Sequence, residues 1–337
     1  MTSSCPERTP LLVLLILLPC LVVLGSGGLA FSQDIRLKMA SFIPQWVPQA
    51  QFAGYFVAHE KGIYRKNGID LTLLRGGPVQ PASELLEKGA ADFGTLFLST
   101  GVLKRAQGVK LVNLAQVGQQ SSLMLVAKKS AGIDLPEGMN CKKVGLWGPE
   151  FQVQPRAFFR KYNLTVTVVH QSTTLNLFLR GGVDVCSAMG YNEYHLILNA
   201  GLDREELTTF LMSDHGLNFP EDWIYCLEQT YRRDPELCRQ FVKSSLEGWE
   251  YAFKYPEEAL SIVMRRVQDG NAGTNRVHQR WMLDRMKDVI LYPDGRGPLG
   301  ILKPEDYEKV TQEYLRSGLI RRIPSFSEFC VNLSSHD

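Results

Sequence analysis

Short apolar runs alternate along this chain with longer stretches in which apolar residues return at helical spacing. Residues 35–41, 69–74, 93–97, 111–117 and 123–128 read as strands, and 49–67, 81–90 and 99–107 as the helices between them. Gly68 and Gly108 stand where two of these helices stop, since glycine takes the left-handed geometry of a helix end without a Cβ clash. Such alternation predicts an α/β fold with right-handed crossovers. After the loop 132–140 a second set begins, with strands at 143–147, 165–171 and 183–188 and helices at 152–162, 173–180 and 193–199. From Asp234 the pattern turns wholly helical. Asp234-Pro235-Glu236 is a cap followed by a proline at the first helical position, and Leu237, Phe241, Val242, Leu246, Trp249 and Phe253 follow on one face. Further helices are expected over 257–266, 275–289 and 304–317, with Trp281, Met282 and Met286 as a core stripe. No internal repeat is present.

The N-terminal segment stands outside this pattern. The run 11–24 is apolar apart from Pro19 and Cys20, with Arg8 ahead and small residues over 25–32 behind. That is the layout of a secretory signal peptide, with cleavage after Ser32 preferred to cleavage after Ala30. Cys20 follows a proline and precedes a greasy stretch, which disfavours lipid attachment there. The remaining roughly three hundred residues exceed what one hydrophobic core usually serves, so two lobes are expected. The order of elements places a first lobe at 34–121, an inserted second lobe at 122–226, and a mostly helical completion of the first at 227–337, with a ligand cleft between the lobes.

The formal net charge is +2 with scattered lysines and arginines, which argues against nucleic acid as a partner. Beyond the leader remain Cys141, Cys186, Cys226, Cys238 and Cys330, an odd number with no CxxC or zinc spacing. Buried free thiols are the expectation for most of them, and neither metal nor cofactor is implied.

Four loops at the carboxyl ends of expected strands are candidates for the ligand. The first carries Gln45 and Trp46, held between Pro44 and Pro48, with Tyr55 a little further on; the two prolines make it a shaped loop with an aromatic wall. The second is Arg75-Gly76-Gly77-Pro78, where Gly77 would let backbone approach a ligand, or simply turn before a helix. In the third, Ser99 and Thr100 at a helix start either hold an anion or carbonyl or cap the helix. The fourth joins Tyr191, Asn192 and Glu193, an aromatic, an amide and a carboxylate suited to the donor edge of an aminopyrimidine. Its ordinary alternative is an acidic residue favoured at a helix N-terminus. His59, His170 and His278 read as isolated surface or core histidines.

Taken together, Trp46-Val47-Pro48, then Ala53-Gly54-Tyr55 through Glu60-Lys61-Gly62-Ile63-Tyr64, then Gly68-Ile69-Asp70, resemble the start of periplasmic binding proteins of the nitrate/sulfonate/taurine type. Within that group the pattern is nearest the branch of formyl-aminopyrimidine-binding proteins and fungal thiamine-pyrimidine synthases, and it extends from Ile35 to at least Tyr255. The resemblance implies a type II periplasmic-binding-protein fold, a small-molecule ligand, and a permease and ATPase of the inner membrane as partners. It implies that Trp46 stacks on a ring which Glu193 reads, and it places the protein in the thiamine-pyrimidine context.

The segment Trp147-Gly148-Pro149-Glu150-Phe151 resembles one that approaches a phosphate in the synthases, but Pro149 removes an N–H donor, which puts phosphate binding in doubt. The synthases also use a lysine after the third strand, a histidine one turn later and a cysteine-rich metal segment. Leu96 and Thr100 stand at the first two positions here, and no cysteines cluster. The expectation is therefore a binding protein with no catalytic residue. A heteroaromatic ligand fits better than nitrate or a short sulfonate, although a riboflavin-like molecule satisfies the same features as a pyrimidine.

Overall fold

The computed structural model describes residues 36–291 and 299–333, so the expected leader at 1–32 lies outside the described residues. Ten strands form two five-stranded sheets. The first sheet runs in the order β2-β1-β3-β10-β4, with β1 at Lys38–Ile43, β2 at Ile69–Leu73, β3 at Phe93–Leu96, β4 at Leu111–Gln116 and β10 at Trp223–Leu227. The second runs β7-β6-β8-β5-β9, with β5 at Leu123–Lys128, β6 at Lys143–Leu146, β7 at Thr167–His170, β8 at Val185–Met189 and β9 at Leu207–Leu211. Each sheet has three parallel strands on one side, β2-β1-β3 and β7-β6-β8, and then takes in an antiparallel strand: β10 lies between β3 and β4, and β5 between β8 and β9. The chain crosses once over 117–122 and returns over 212–222, so β10 belongs to the first sheet although it follows all of the second. This is a periplasmic-binding-protein fold.

The apolar runs become strands because both faces of several are covered, as in β3, β4, β8 and β10, where every residue is buried. The expected helix at 49–67 is three pieces, a 3-10 turn at Ala50–Phe52 and helices at Ala53–Glu60 and Ile63–Lys66, because Gly62 turns left-handed at φ 68°. The Pro235–Lys254 helix starts as expected, with the Asp234 carboxylate accepting from the Leu237 N–H at 3.0 Å. It packs on the Ala53–Glu60 helix so closely that a Cβ at Gly54 would lie 2.4 Å from the Trp249 ring. The C-terminal segment covers the open edge of β4, where Val331 and Leu333 donate to Asn113 and Leu114. From Arg36 onward the chain forms one compact unit.

Cys186, Cys226, Cys238 and Cys330 are buried and free, and Cys141 is exposed and free. The core stripe on the Arg276–Ile290 helix holds for Met282 and Met286, which are fully buried. Trp281 departs from it. Its ring is only half-buried, lies 4.7 Å from the His195 ring in a parallel stack, and donates its Nε1–H to the Gly190 carbonyl.

Candidate functional site

Strands β1, β3, β6 and β8 all end at one chamber with about 400 Å³ of empty space, part of it open to solvent. Gln45, Trp46, Gln49, Gln51 and Phe97 line it from the first sheet's loops, and Trp147, Phe151, Met189, Tyr191, Asn192 and Glu193 from the second's. Phe151 stands in the middle, edge-on to Trp46 at 6.3 Å, to Trp147 at 6.1 Å and to Phe97 at 5.2 Å between centroids. Edge-to-face contact is the favoured arrangement for such rings and leaves faces toward the chamber for a flat guest.

The polar part of the lining is organised by buried carboxylates. Asp222, in left-handed conformation at φ 56°, accepts from Gln51 Nε2 at 2.9 and 3.0 Å and also from Gln45 Nε2. Gln51 Oε1 in turn accepts from Gln49 Nε2 at 2.5 Å. Gln45 and Gln49 each commit one amide N–H this way and keep a carbonyl oxygen and a second N–H. Glu193 accepts from the Met189 N–H at 2.9 Å and from Asn192 Nδ2 at 2.8 Å. Asn192 Oδ1 is held by His278 Nε2 at 2.8 Å, and His278 Nδ1 meets His195 Nδ1 at 2.8 Å. Burial, then the neighbouring His195, pushes His278 down to about 4, so its ring is neutral. Its Nε2 must carry the hydrogen toward Asn192, and His195 donates to its Nδ1.

Burial raises the Glu193 carboxyl to about 7 against its bonds to backbone N–H groups, and Asp222 to about 7 against those from Gln51 and Gln45. Glu221 next to it is pushed to about 8, by burial first and by Asp222 second. Glu193 therefore brings a carboxyl poised near neutrality to the chamber, with Asp222 and Glu221 outside its lining, and among the described residues no lysine or arginine lines it.

A second chamber, with about 840 Å³ of empty space that opens in part to solvent, lies beside the first and shares Gln45, Trp46, Trp147 and Phe151 with it. Gly77, Pro78, Ser83 and Leu96 close one side, and Gly148, His170, Ser172 and Thr173 the other.

Of the residues expected from sequence, Trp46, Tyr191, Asn192 and Glu193 line the inner chamber and Gly77 the outer one. Gly76 beside it is required, since a Cβ there would fall 1.9 Å from the Pro44 carbonyl oxygen. Tyr55 is corrected: it is a core residue, 1% exposed and stacked 4.6 Å from Phe42, because it faces β1 and the Pro235–Lys254 helix. Ser99 and Thr100 are also corrected. The helix begins at Leu98 with Phe97 as its cap, which turns both hydroxyl residues into the buried first turn and outside the lining of either chamber. His278 is not isolated, given its bonds to His195 and Asn192. Sequence reasoning missed Gln49, Gln51, Phe97, Glu221 and Asp222. The signal for the last two was a pair of acids set directly before the wholly apolar run 223–227. Among the described residues no group of His, Cys, Asp and Glu is arranged to hold a metal ion.

The profile described as NMT1/THI5 like matches residues 49–259. A riboflavin-binding protein of Chloroflexus aurantiacus is 23% identical over 247 residues, covering 70% of this chain and 69% of its own. A formylaminopyrimidine-binding protein of Halalkalibacterium halodurans is 22% identical over 290 residues, covering 83% and 85%. Among solved structures, the periplasmic aliphatic sulphonate binding protein of Escherichia coli superposes with a TM-score of 0.67 at 12% identity, covering 89% of this chain and 99% of that one.

Proposed function

The chain belongs to the NMT1/THI5-like family, and we propose that it is the extracytoplasmic solute-binding component of an ABC importer, taking a small heteroaromatic ligand of the thiamine-pyrimidine kind. The lining of the inner chamber carries this reading: aromatic rings, hydrogen-bond acceptors and, among the described residues, no cationic side chain. A sulfonate or nitrate taken out of water needs a positive or donor-rich partner. An acceptor-rich box instead favours a flat guest with N–H donors on its edge, with Trp46 against the face and Glu193 on the edge. The formylaminopyrimidine- and riboflavin-binding relatives support a guest of this class. Export through the apolar leader at 11–24, a two-lobe division whose expected second boundary at 226/227 moves ahead of Trp223 because β10 pairs in the first sheet, and delivery to a membrane permease with its ATPase belong to the same reading.

The catalytic alternative within the family is disfavoured. Leu96, at the place of the synthases' Schiff-base lysine, lines the outer chamber with an alkyl side chain that cannot form an imine. Mass spectrometry of ligand released from the purified, denatured protein, followed by calorimetric titration, tests the proposal. An aminopyrimidine or related ring compound is expected to bind. Recovery of an alkanesulfonate, with no binding of ring compounds, would overturn it.

A further inference from the structure

The inner chamber accounts for a ring but leaves the larger outer chamber without a role. We propose that the outer chamber is a second subsite, which takes an uncharged, hydroxylated substituent carried by the ring that fills the inner one. This inference rests on the ring reading given above and adds the other half of the ligand.

The two chambers are neighbours. Gln45, Trp46, Trp147 and Phe151 line both, so the two spaces lie within one side chain of each other. A single molecule with two parts occupies both at the cost of one loss of translational freedom, which two separate molecules would each incur.

The chemistry of the outer walls selects the substituent. Ser83, Ser172 and Thr173 bring hydroxyls to it. Ser83 is only 3% exposed and lines this chamber, where its hydroxyl can serve a guest as donor and acceptor. Gln171, by contrast, is committed: its Nε2 donates to the Ser187 carbonyl at 2.8 Å and its Oε1 accepts from the Ser187 N–H at 3.2 Å, fixing the turn that carries Ser172 and Thr173. An anionic substituent finds little here. Among the described residues no lysine or arginine lines the chamber, His170 is its one basic side chain, and Pro78, Pro81 and Pro149 bring no backbone N–H. Leu96, Ala82 and the proline rings supply apolar contact for a carbon chain. Hydroxyls on a short alkyl chain satisfy both kinds of wall.

The test is calorimetric titration with matched compounds that differ only in the substituent. One pair is 4-amino-2,5-dimethylpyrimidine and its 5-hydroxymethyl analogue; the other is lumiflavin and riboflavin. Each pair is extended by the phosphate ester of its hydroxylated member. With the ring that binds, the hydroxylated compound should bind about tenfold tighter than the bare ring, which is what one or two neutral hydrogen bonds supply. The phosphate ester should bind more weakly than the alcohol. Ser172→Leu combined with Thr173→Leu, both on exposed loop positions, should abolish the gain while leaving the bare ring's affinity unchanged. Glu193→Gln should weaken both members of a pair alike. Equal affinity for bare and hydroxylated rings, or tighter binding of the phosphate, would overturn the second subsite and leave the ring site standing. Failure of every ring compound would overturn both.

Discussion

Glu193 spends one bond on the Met189 N–H and another on Asn192, yet it still lines the chamber with acceptor capacity to spare. If it reads a donor edge, Glu193→Gln replaces a charge-assisted pair by a neutral one and should cost about 1–3 kcal/mol of binding. Trp46→Ala removes ring area and stacking together and should cost at least as much. Neither side chain is a core anchor, so thermal stability should hold while calorimetric affinity falls. Near-wild-type affinity in Glu193→Gln would move the reader elsewhere. The same carboxyl predicts a pH signature. Its value of about 7 lies above the usual carboxylate range because burial disfavours the ionised form. The acceptor-only carboxylate is therefore scarce at pH 5.5 and dominant at pH 8.5. Affinity for a donor ligand should rise with pH across that window and level off above it, and Glu193→Gln should flatten the rise. A flat profile in the native protein would remove ionised Glu193 from recognition.

Two helices show how tightly the elements are fitted. A Cβ at Gly54 would strike the Trp249 ring at 2.4 Å, and one at Gly248 would strike the Gly54 carbonyl oxygen at 2.1 Å, so the helices touch backbone to backbone. Gly54→Ala should cost about 1–3 kcal/mol by overpacking. Gly148→Ala, where no atom lies within 4 Å of the added carbon, should leave the melting temperature in place. Equal melting points for the two variants would refute the close approach. At this scale the sequence was readable where a pattern was local. Strands such as β5 and the Glu193–Asn199 helix stand where hydrophobic spacing puts them. β9 and β10 were not read as strands. A five-residue apolar run such as 223–227 looks the same in a helix and a buried strand, and its strand character comes from pairing with β3 and β4, more than a hundred residues earlier. The site divides in the same way. Trp46 and Glu193 were legible because loops at strand ends collect ligands. The corrected Tyr55 was not, because two faces of its helix are buried and periodicity alone does not say which faces the cleft. Asp222 and Gln51 meet only after the return crossing, which no local signal announces.

The two crossings at 117–122 and 212–222 tie the halves together, and Glu221 is the knot: its Oε1 accepts from Ser121 Oγ at 2.9 Å and from the Ser122 and Leu123 N–H groups at 2.6 and 3.2 Å. Its folded value of about 8 lies above the unfolded one, so its contribution is complete below the unfolded value and is lost as pH rises through the folded one. Denaturant titrations should show stability falling from about pH 5 to pH 9. Glu221→Gln keeps the accepting oxygen without a charge to bury, and at pH 9 should be the more stable protein by on the order of 1–3 kcal/mol. Superimposable pH profiles for the two proteins would sink that account. Above these crossings, the halves meet through Trp46 and Phe151, through His278 and Asn192, and through Trp281 Nε1 and the Gly190 carbonyl at 3.2 Å. These contacts join loops of the second sheet to the first sheet's loops and to the Arg276–Ile290 helix, and a hinge opening of the cleft would have to part them. A ligand gripped from both sides stabilises this form over an open one by its difference in affinity for the two. Small-angle scattering should therefore show a smaller radius of gyration at saturating ligand than without it. His278→Ala removes a contact between the halves without removing a lining residue, so the free protein should open further and the ligand-induced compaction should grow. Affinity should fall by the extra work of closing, with ligand chemistry unchanged across a compound series. A radius that ignores ligand in both proteins would mean the cleft is rigid, and that the contacts around His278 hold Asn192 in place without governing closure.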